Sequence, residues 1–191
     1  MLVKLPILRV ATLCGTVALV CSVIPSGHAS NSSEKQELQT VSSVDLNRYV
    51  GDWYEIARTP NRYEAHCVAD VKVHYELLPD GRMGVKNECR QSDGKTDIAH
   101  ARASVVDTVS RAKLRMTFFW PFFADYWIID LDKDYRYAVV GEPDRKYLWI
   151  ISRTPRLDMG MYQELLKHIT EHGYDISKVQ KTEQTEATGE K

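Results

Sequence analysis

The stretch Ala69-Asp70-Val71-Lys72-Val73-His74-Tyr75-Glu76-Leu77-Leu78-Pro79-Asp80-Gly81 sets the fold class. Val71, Val73, Tyr75 and Leu77 fall on one face of an extended chain, and Lys72, His74 and Glu76 fall on the other. Pro79-Asp80-Gly81 then supplies the residues a tight reversal needs. The pattern is a half-buried strand followed by a hairpin.

The same grammar repeats in both directions. Strand-like runs are expected over 53–59, 69–78, 82–91, 96–106, 113–119, 125–131, 135–141 and 147–153, with turn residues at Ser92-Asp93-Gly94 and Glu142-Pro143-Asp144. Leu114, Met116 and Phe118 alternate with Arg115 and Thr117. Sequential hairpins imply an antiparallel meander. Closing it into a barrel removes the edges that would otherwise pair with other chains, whereas a filled sandwich satisfies the same periodicity. Beyond the strands, Asp158 caps a helix running to about His172. Tyr162, Leu165, Leu166 and Ile169 form its apolar side, and Gly173 stops it.

The ends carry different signals. Lys4 and Arg9 precede an apolar run from Val10 to Ile24, and small residues lead to Ala29, so residues 1–29 read as a secretory signal peptide cleaved after Ala29. Losing Lys4 and Arg9, with no acid, takes the formal charge from -1 to -3, which disfavours nucleic acid because phosphate contacts need clustered cations. Leu13 before Cys14 and Val20 before Cys21 fit a lipid-anchor motif poorly, so a soluble envelope or secreted protein is expected. Residues 30–43 and 180–191 are polar and read as mobile segments flanking a domain over 44–179.

Of the four cysteines, Cys67 and Cys89 remain after cleavage. In an oxidising compartment they are expected to pair, closing a loop worth roughly 3 kcal/mol on the chain-entropy model; two free thiols are the alternative. His168 and His172 have the spacing for a shared metal, but no third ligand accompanies them, and they read as a solvated helix face. No metal and no cofactor are expected. No nucleophile-base order or phosphate loop appears, so no enzyme activity is expected.

Three blocks distinguish barrel from sandwich. Gly51-Asp52-Trp53-Tyr54-Glu55-Ile56-Ala57-Arg58 resembles the G-x-W opening of lipocalins, in the form typical of the bacterial lipocalins and their apolipoprotein D-like relatives. Asp134 to Pro143 resembles the second lipocalin block, and Tyr147-Leu148-Trp149-Ile150-Ile151-Ser152-Arg153-Thr154-Pro155 the third. The resemblance implies an all-β fold, an eight-stranded up-and-down calyx with the helix outside. It also implies a short helical turn near Asp45 to Tyr49 plugging one end and Arg153 lying across Trp53 there. The implied function is binding, transport or storage of a small hydrophobic ligand, a fatty acid or lysophospholipid. The bacterial members are associated with the outer membrane, so a periplasmic protein in lipid handling is expected.

With Arg153 inward, strand parity turns Ile151 and Trp149 inward too. Expected ligand contacts are therefore Trp149, Tyr75 and Met116 in the wall, and Phe119, Trp120, Phe122 and Phe123 at the mouth. Those aromatics could instead pack on one another beneath their loop, or meet a membrane surface. Arg62, Tyr63, Arg145 and Lys146 are candidate head-group contacts, or ordinary solvated loop residues. Gly51, Trp53, Arg153, Cys67 and Cys89 are expected to be structural. Some lipocalin-fold proteins are enzymes that use a calyx cysteine, which here would require an unpaired Cys67 or Cys89.

Overall fold

The computed structural model describes residues 36–185. The expected signal peptide and the outermost parts of both polar segments, residues 30–35 and 186–191, lie outside the described residues. A helical turn α1 (Leu46–Tyr49) leads into strands β1 (Gly51–Arg58), β2 (Cys67–Leu77), β3 (Met83–Gln91), β4 (Thr96–Val105), β5 (Lys113–Thr117), β6 (Ala124–Leu131), β7 (Tyr137–Gly141) and β8 (Leu148–Ser152). Helix α2 (Met159–Glu171) and a short strand β9 (Gln180–Lys181) follow. Each of β1 to β8 pairs antiparallel with its sequence neighbour, and β1 also pairs with β8. The sheet is a closed barrel.

Alternation divides the apolar residues between two packing regions. Trp53, Tyr75, Val85, Ala101, Leu114, Met116, Ile128, Val140 and Ile151 pack inside the barrel. Ile129, Val139, Leu148 and Ile150 face outward and are covered by Tyr162, Leu165 and Ile169 of α2. Burial of those three helix side chains stabilises by about 1.5–3 kcal/mol each, an upper bound because the unfolded chain is partly collapsed. Asp158 caps the helix by accepting from the Met161 N–H at 3.1 Å, and Gly173, at φ +83°, ends it.

The expectation of two mobile flanks needs correction. Leu38 is 2% exposed within the helix-side cluster, and the Val41 N–H bonds the Ile128 carbonyl at 3.0 Å. At the other end, β1 and β2 pair only over Gly51–Tyr54, and above that the C-terminal segment fills the seam between them. The Thr182 N–H reaches the Ile56 carbonyl at 2.9 Å, and the Asp70 N–H reaches the Glu183 carbonyl at 2.8 Å. The Gln184 side-chain amide bridges both strands, its Nε2 donating to the Glu55 and Val71 carbonyls at 2.8 Å each. Residues 180–185 are thus part of the barrel. Unpaired backbone groups at a splayed seam demand partners, and a polar run meets that demand without apolar periodicity.

Candidate ligand-binding site

The floor is built around one pair. Trp53 is fully buried, its indole N–H donating to the Tyr49 carbonyl at 2.8 Å, and the Arg153 guanidinium lies 3.8 Å over its ring. Arg153 also donates to the carbonyls of Asp52 at 2.9 Å and Arg48 at 2.7 Å, tying β8 to β1 and α1. Gly51 sits beneath this contact at φ +96°, where a Cβ would lie 3.3 Å from Arg153 Nη1. Both the backbone conformation and the close approach call for glycine.

Above the floor, Tyr49, Tyr75 and Tyr126 join through their hydroxyls, with Tyr126 Oη 2.9 Å from Tyr49 Oη and 2.7 Å from Tyr75 Oη. Burial pushes the phenols of Tyr49 and Tyr126 well above the ordinary tyrosine range, so the trio stays neutral. Tyr75 is an inward wall residue as expected, but its hydroxyl is already bonded. Met116 is inward and 8% exposed.

Higher still the inward side chains of β4 become small. Successive inward positions of β4 are Ala103, Ala101 and Ala99; Ala103 is 2% exposed, Ala101 7%, and Ala99 is half-buried. Solvent reaches progressively more of these side chains toward the mouth. Trp149 packs against the inner cluster and is also half-buried.

The interior is not purely apolar. Glu55 is 3% exposed and faces inward opposite Ile151. A bulge between Glu55 and Ala57 places Ile56 and Ala57 together on the outer face and returns Arg58 to the interior, paired with Trp149. Arg58 Nη1 lies 2.5 Å from Glu55 Oε1, and its Nη2 donates to the Cys67 carbonyl at 3.0 Å. From the loop between β1 and β2, Glu64 Oε2 accepts from Trp149 Nε1 at 3.0 Å and Asn61 Nδ2 at 2.7 Å, and stands 3.7 Å from Arg58 Nε. Burial and the neighbouring Glu64 push the Glu55 carboxyl up to about 8, with Arg58 opposing. The buried Glu55 carboxyl is therefore the member of the cluster that holds a proton most readily.

Simple alternation from Trp53 sends Arg58 outward, so the sequence reading missed it. A bulge leaves no fixed mark on residue type.

The proposed head-group contacts lie elsewhere. Arg145 is committed to the end of α2, donating to the His172 carbonyl at 2.6 Å and the Gln36 carbonyl at 2.5 Å. Arg62 is exposed over the Tyr63 ring at 5.1 Å, and Lys146 lies 5.1 Å over Tyr147. Tyr63 packs edge-on against Tyr147 at 5.8 Å.

All four phenylalanines of the chain fall between Phe118 and Phe123, and the structure places their loop on the rim. Phe119, Trp120, Phe122 and Phe123 are 67%, 82%, 65% and 54% exposed, so they neither line the wall nor form a core beneath the loop. Phe119 and Phe122 meet edge to face at 5.3 Å.

Cys67 and Cys89 form the expected disulfide. His66 brings a donor atom within 4.8 Å of both sulfurs, but bonded sulfurs offer no thiolate, so the group is not a metal site. His168 pairs with Asp130 at 3.0 Å. Two further concavities, of about 340 and 670 Å³, lie on the outside of the barrel and are lined largely by polar and charged residues such as Lys72, His74 and Lys178.

A closed eight-stranded barrel with Arg153 packed over Trp53 at its floor and one external helix has the architecture of a calyx-type binding protein. The sequence model of the lipocalin-like domain matches residues 44–184. The chain is 39% identical over 166 residues to temperature-induced lipocalin-1 of Arabidopsis thaliana, covering 83% of this chain and 89% of that protein. It is 39% identical over 150 residues to outer membrane lipoprotein Blc of Escherichia coli (strain K12), covering 78% and 84%, and 30% identical to apolipoprotein D of Macaca fascicularis, covering 74% and 78%. Among solved structures, insecticyanin from the tobacco hornworm Manduca sexta superposes with a TM-score of 0.62 at 23% identity, covering 78% of this chain and 86% of that one. The protein belongs to the lipocalin family, whose members bind small hydrophobic ligands.

Proposed function

We propose that the protein binds and carries or stores one fatty acid or lysophospholipid, in lipid handling at a cell envelope. The observation that supports this most strongly is the inner stripe Ala99, Ala101 and Ala103. Small side chains there leave width inside a barrel closed below by Trp53 and Arg153, with Trp149 as the aromatic wall. An apolar enclosure of this kind suits an acyl chain. The relatives named outer membrane lipoproteins support the envelope setting, and the disulfide supports an oxidising compartment. The disulfide also favours binding over catalysis, since the cysteine-dependent chemistry considered above needs a free thiol. The exposed Phe119, Trp120, Phe122 and Phe123 favour mouth-first contact with a lipid surface during loading.

Native mass spectrometry of delipidated protein with hexadecanoic acid or a C16 lysophosphatidylcholine tests the carrier reading. A saturating one-to-one complex is the expected result. No complex, or a ladder of adducts growing with lipid concentration, contradicts it.

A further inference from the structure

The polar cluster in the upper barrel has two kinds of member. Arg58 and Trp149 stand opposite each other on paired strands, and Arg58 is held from behind by Glu55 and the Cys67 carbonyl. Glu64 belongs to the loop over 59–66, which lies at the mouth end of the barrel. That loop is wound around Asn61, whose Oδ1 accepts from the N–H groups of Tyr63 and Glu64 at 3.0 Å each. Its Glu64 carboxylate is received by Trp149 Nε1, Asn61 Nδ2 and Arg58. The strands therefore present a carboxylate receptor, and the loop supplies an occupant from the protein itself.

We propose that Arg58 and Trp149 form the head-group subsite of the calyx, specific for a carboxylate on the end of an acyl chain, and that Glu64 occupies it until such a ligand displaces it. The proposal rests on the carrier reading. An entering chain has to pass the loop that carries Glu64. Moving Glu64 aside without replacement leaves the Trp149 N–H and the Arg58 Nε edge without their acceptor in a partly desolvated site, which is unfavourable. A fatty acid takes over those contacts with its own carboxylate, whereas a fatty alcohol, once its chain has passed the loop, leaves Glu64 in the subsite. The subsite is thus a selectivity filter with a built-in competitor.

The test is calorimetric titration of the full mature protein and its Glu64→Ala variant with hexadecanoic acid, hexadecanol and a C16 lysophosphatidylcholine, all below their aggregation limits. Removing the internal competitor is expected to tighten hexadecanoic acid about tenfold, the worth of one charge-assisted hydrogen bond, and to leave hexadecanol within about twofold. Glu64→Gln, which preserves the neutral contacts and the loop, is expected to give a smaller gain of the same sign. Equal tightening of acid and alcohol, or no change for either, overturns the subsite while leaving the carrier reading intact. Tightening confined to the lysophospholipid overturns the carboxylate assignment in favour of a phosphodiester. Failure of all three lipids to bind either protein removes the carrier reading and the subsite with it.

Discussion

Replacing Arg153 with alanine is expected to lower the melting temperature by about 6–12 °C, corresponding to roughly 3 kcal/mol for a domain of this size. The guanidinium lies 3.8 Å over Trp53, a contact worth about 0.5–2 kcal/mol. It also holds the Asp52 and Arg48 carbonyls at 2.9 and 2.7 Å, charge-assisted bonds of roughly 1.5–3 kcal/mol each before solvent compensation. These carbonyls face solvent and can be hydrated in the variant, so the total falls well below the simple sum. Arg153→Lys should recover only part, because an ammonium cannot stack flat on the indole while bonding two carbonyls in a fork. The floor lies far from the mouth, and the order of ligand preference is expected to be unchanged. Differential scanning calorimetry together with a ligand series checks both halves. An unaltered melting temperature, or a reordered ligand series, contradicts the structural role.

Stability is expected to fall as pH rises from about 4.5 to about 8, and Glu55→Gln is expected to remove much of that fall. The folded-state value of Glu55 is raised to about 8 from an ordinary 4.5, chiefly by burial. The folded protein therefore holds a proton that the unfolded chain releases. The corresponding stability is fully present below 4.5 and is lost as pH passes through 8, at no more than about 1.4 kcal/mol per pH unit. Glutamine keeps an acceptor for Arg58 and Thr182 without a titrating proton, so the variant should match the wild type near pH 4.5 and exceed it by about 2–3 kcal/mol near pH 8. Glu142, raised to about 7 by burial, contributes a slope of the same sign in both proteins. The difference between the two urea-denaturation profiles is consequently the quantity to read. Parallel profiles would show that Glu55 is charged in the folded barrel.

The strands were legible because alternation marks them and turn residues mark the hairpins at 79–81, 92–94 and 142–144. The run expected over 96–106 corresponds to β4 at Thr96–Val105, and Asp158 caps α2 as its position before an apolar stripe implied. Inward parity carried from Arg153 to Trp149 because β8 has no bulge between them. The same counting failed on β1, where the extra residue at Ile56 turns Arg58 inward. Glu64 was illegible for a different reason: its contacts depend on how a loop folds around Asn61, and nothing periodic records that. The C-terminal segment was misread because its role in the seam is carried by backbone hydrogen bonds and by Gln184, which polar composition conceals. Leu38 and Val41 show the converse, isolated apolar anchors inside a polar run.

The central claim is that an acyl chain enters the barrel and lies against Trp149. The measurement that tests it most directly is a fluorescence titration of delipidated protein with a brominated C16 fatty acid, in the wild type and in Trp149→Phe. The indole of Trp149 packs against the inner cluster, whereas Trp120 is on the rim. Saturable one-to-one quenching that is largely lost in Trp149→Phe, with calorimetric binding there weakened by the missing indole donor but still one-to-one, is the predicted result. Quenching that persists undiminished in Trp149→Phe and disappears in Trp120→Phe would place the lipid on the rim and contradict a chain-filled calyx.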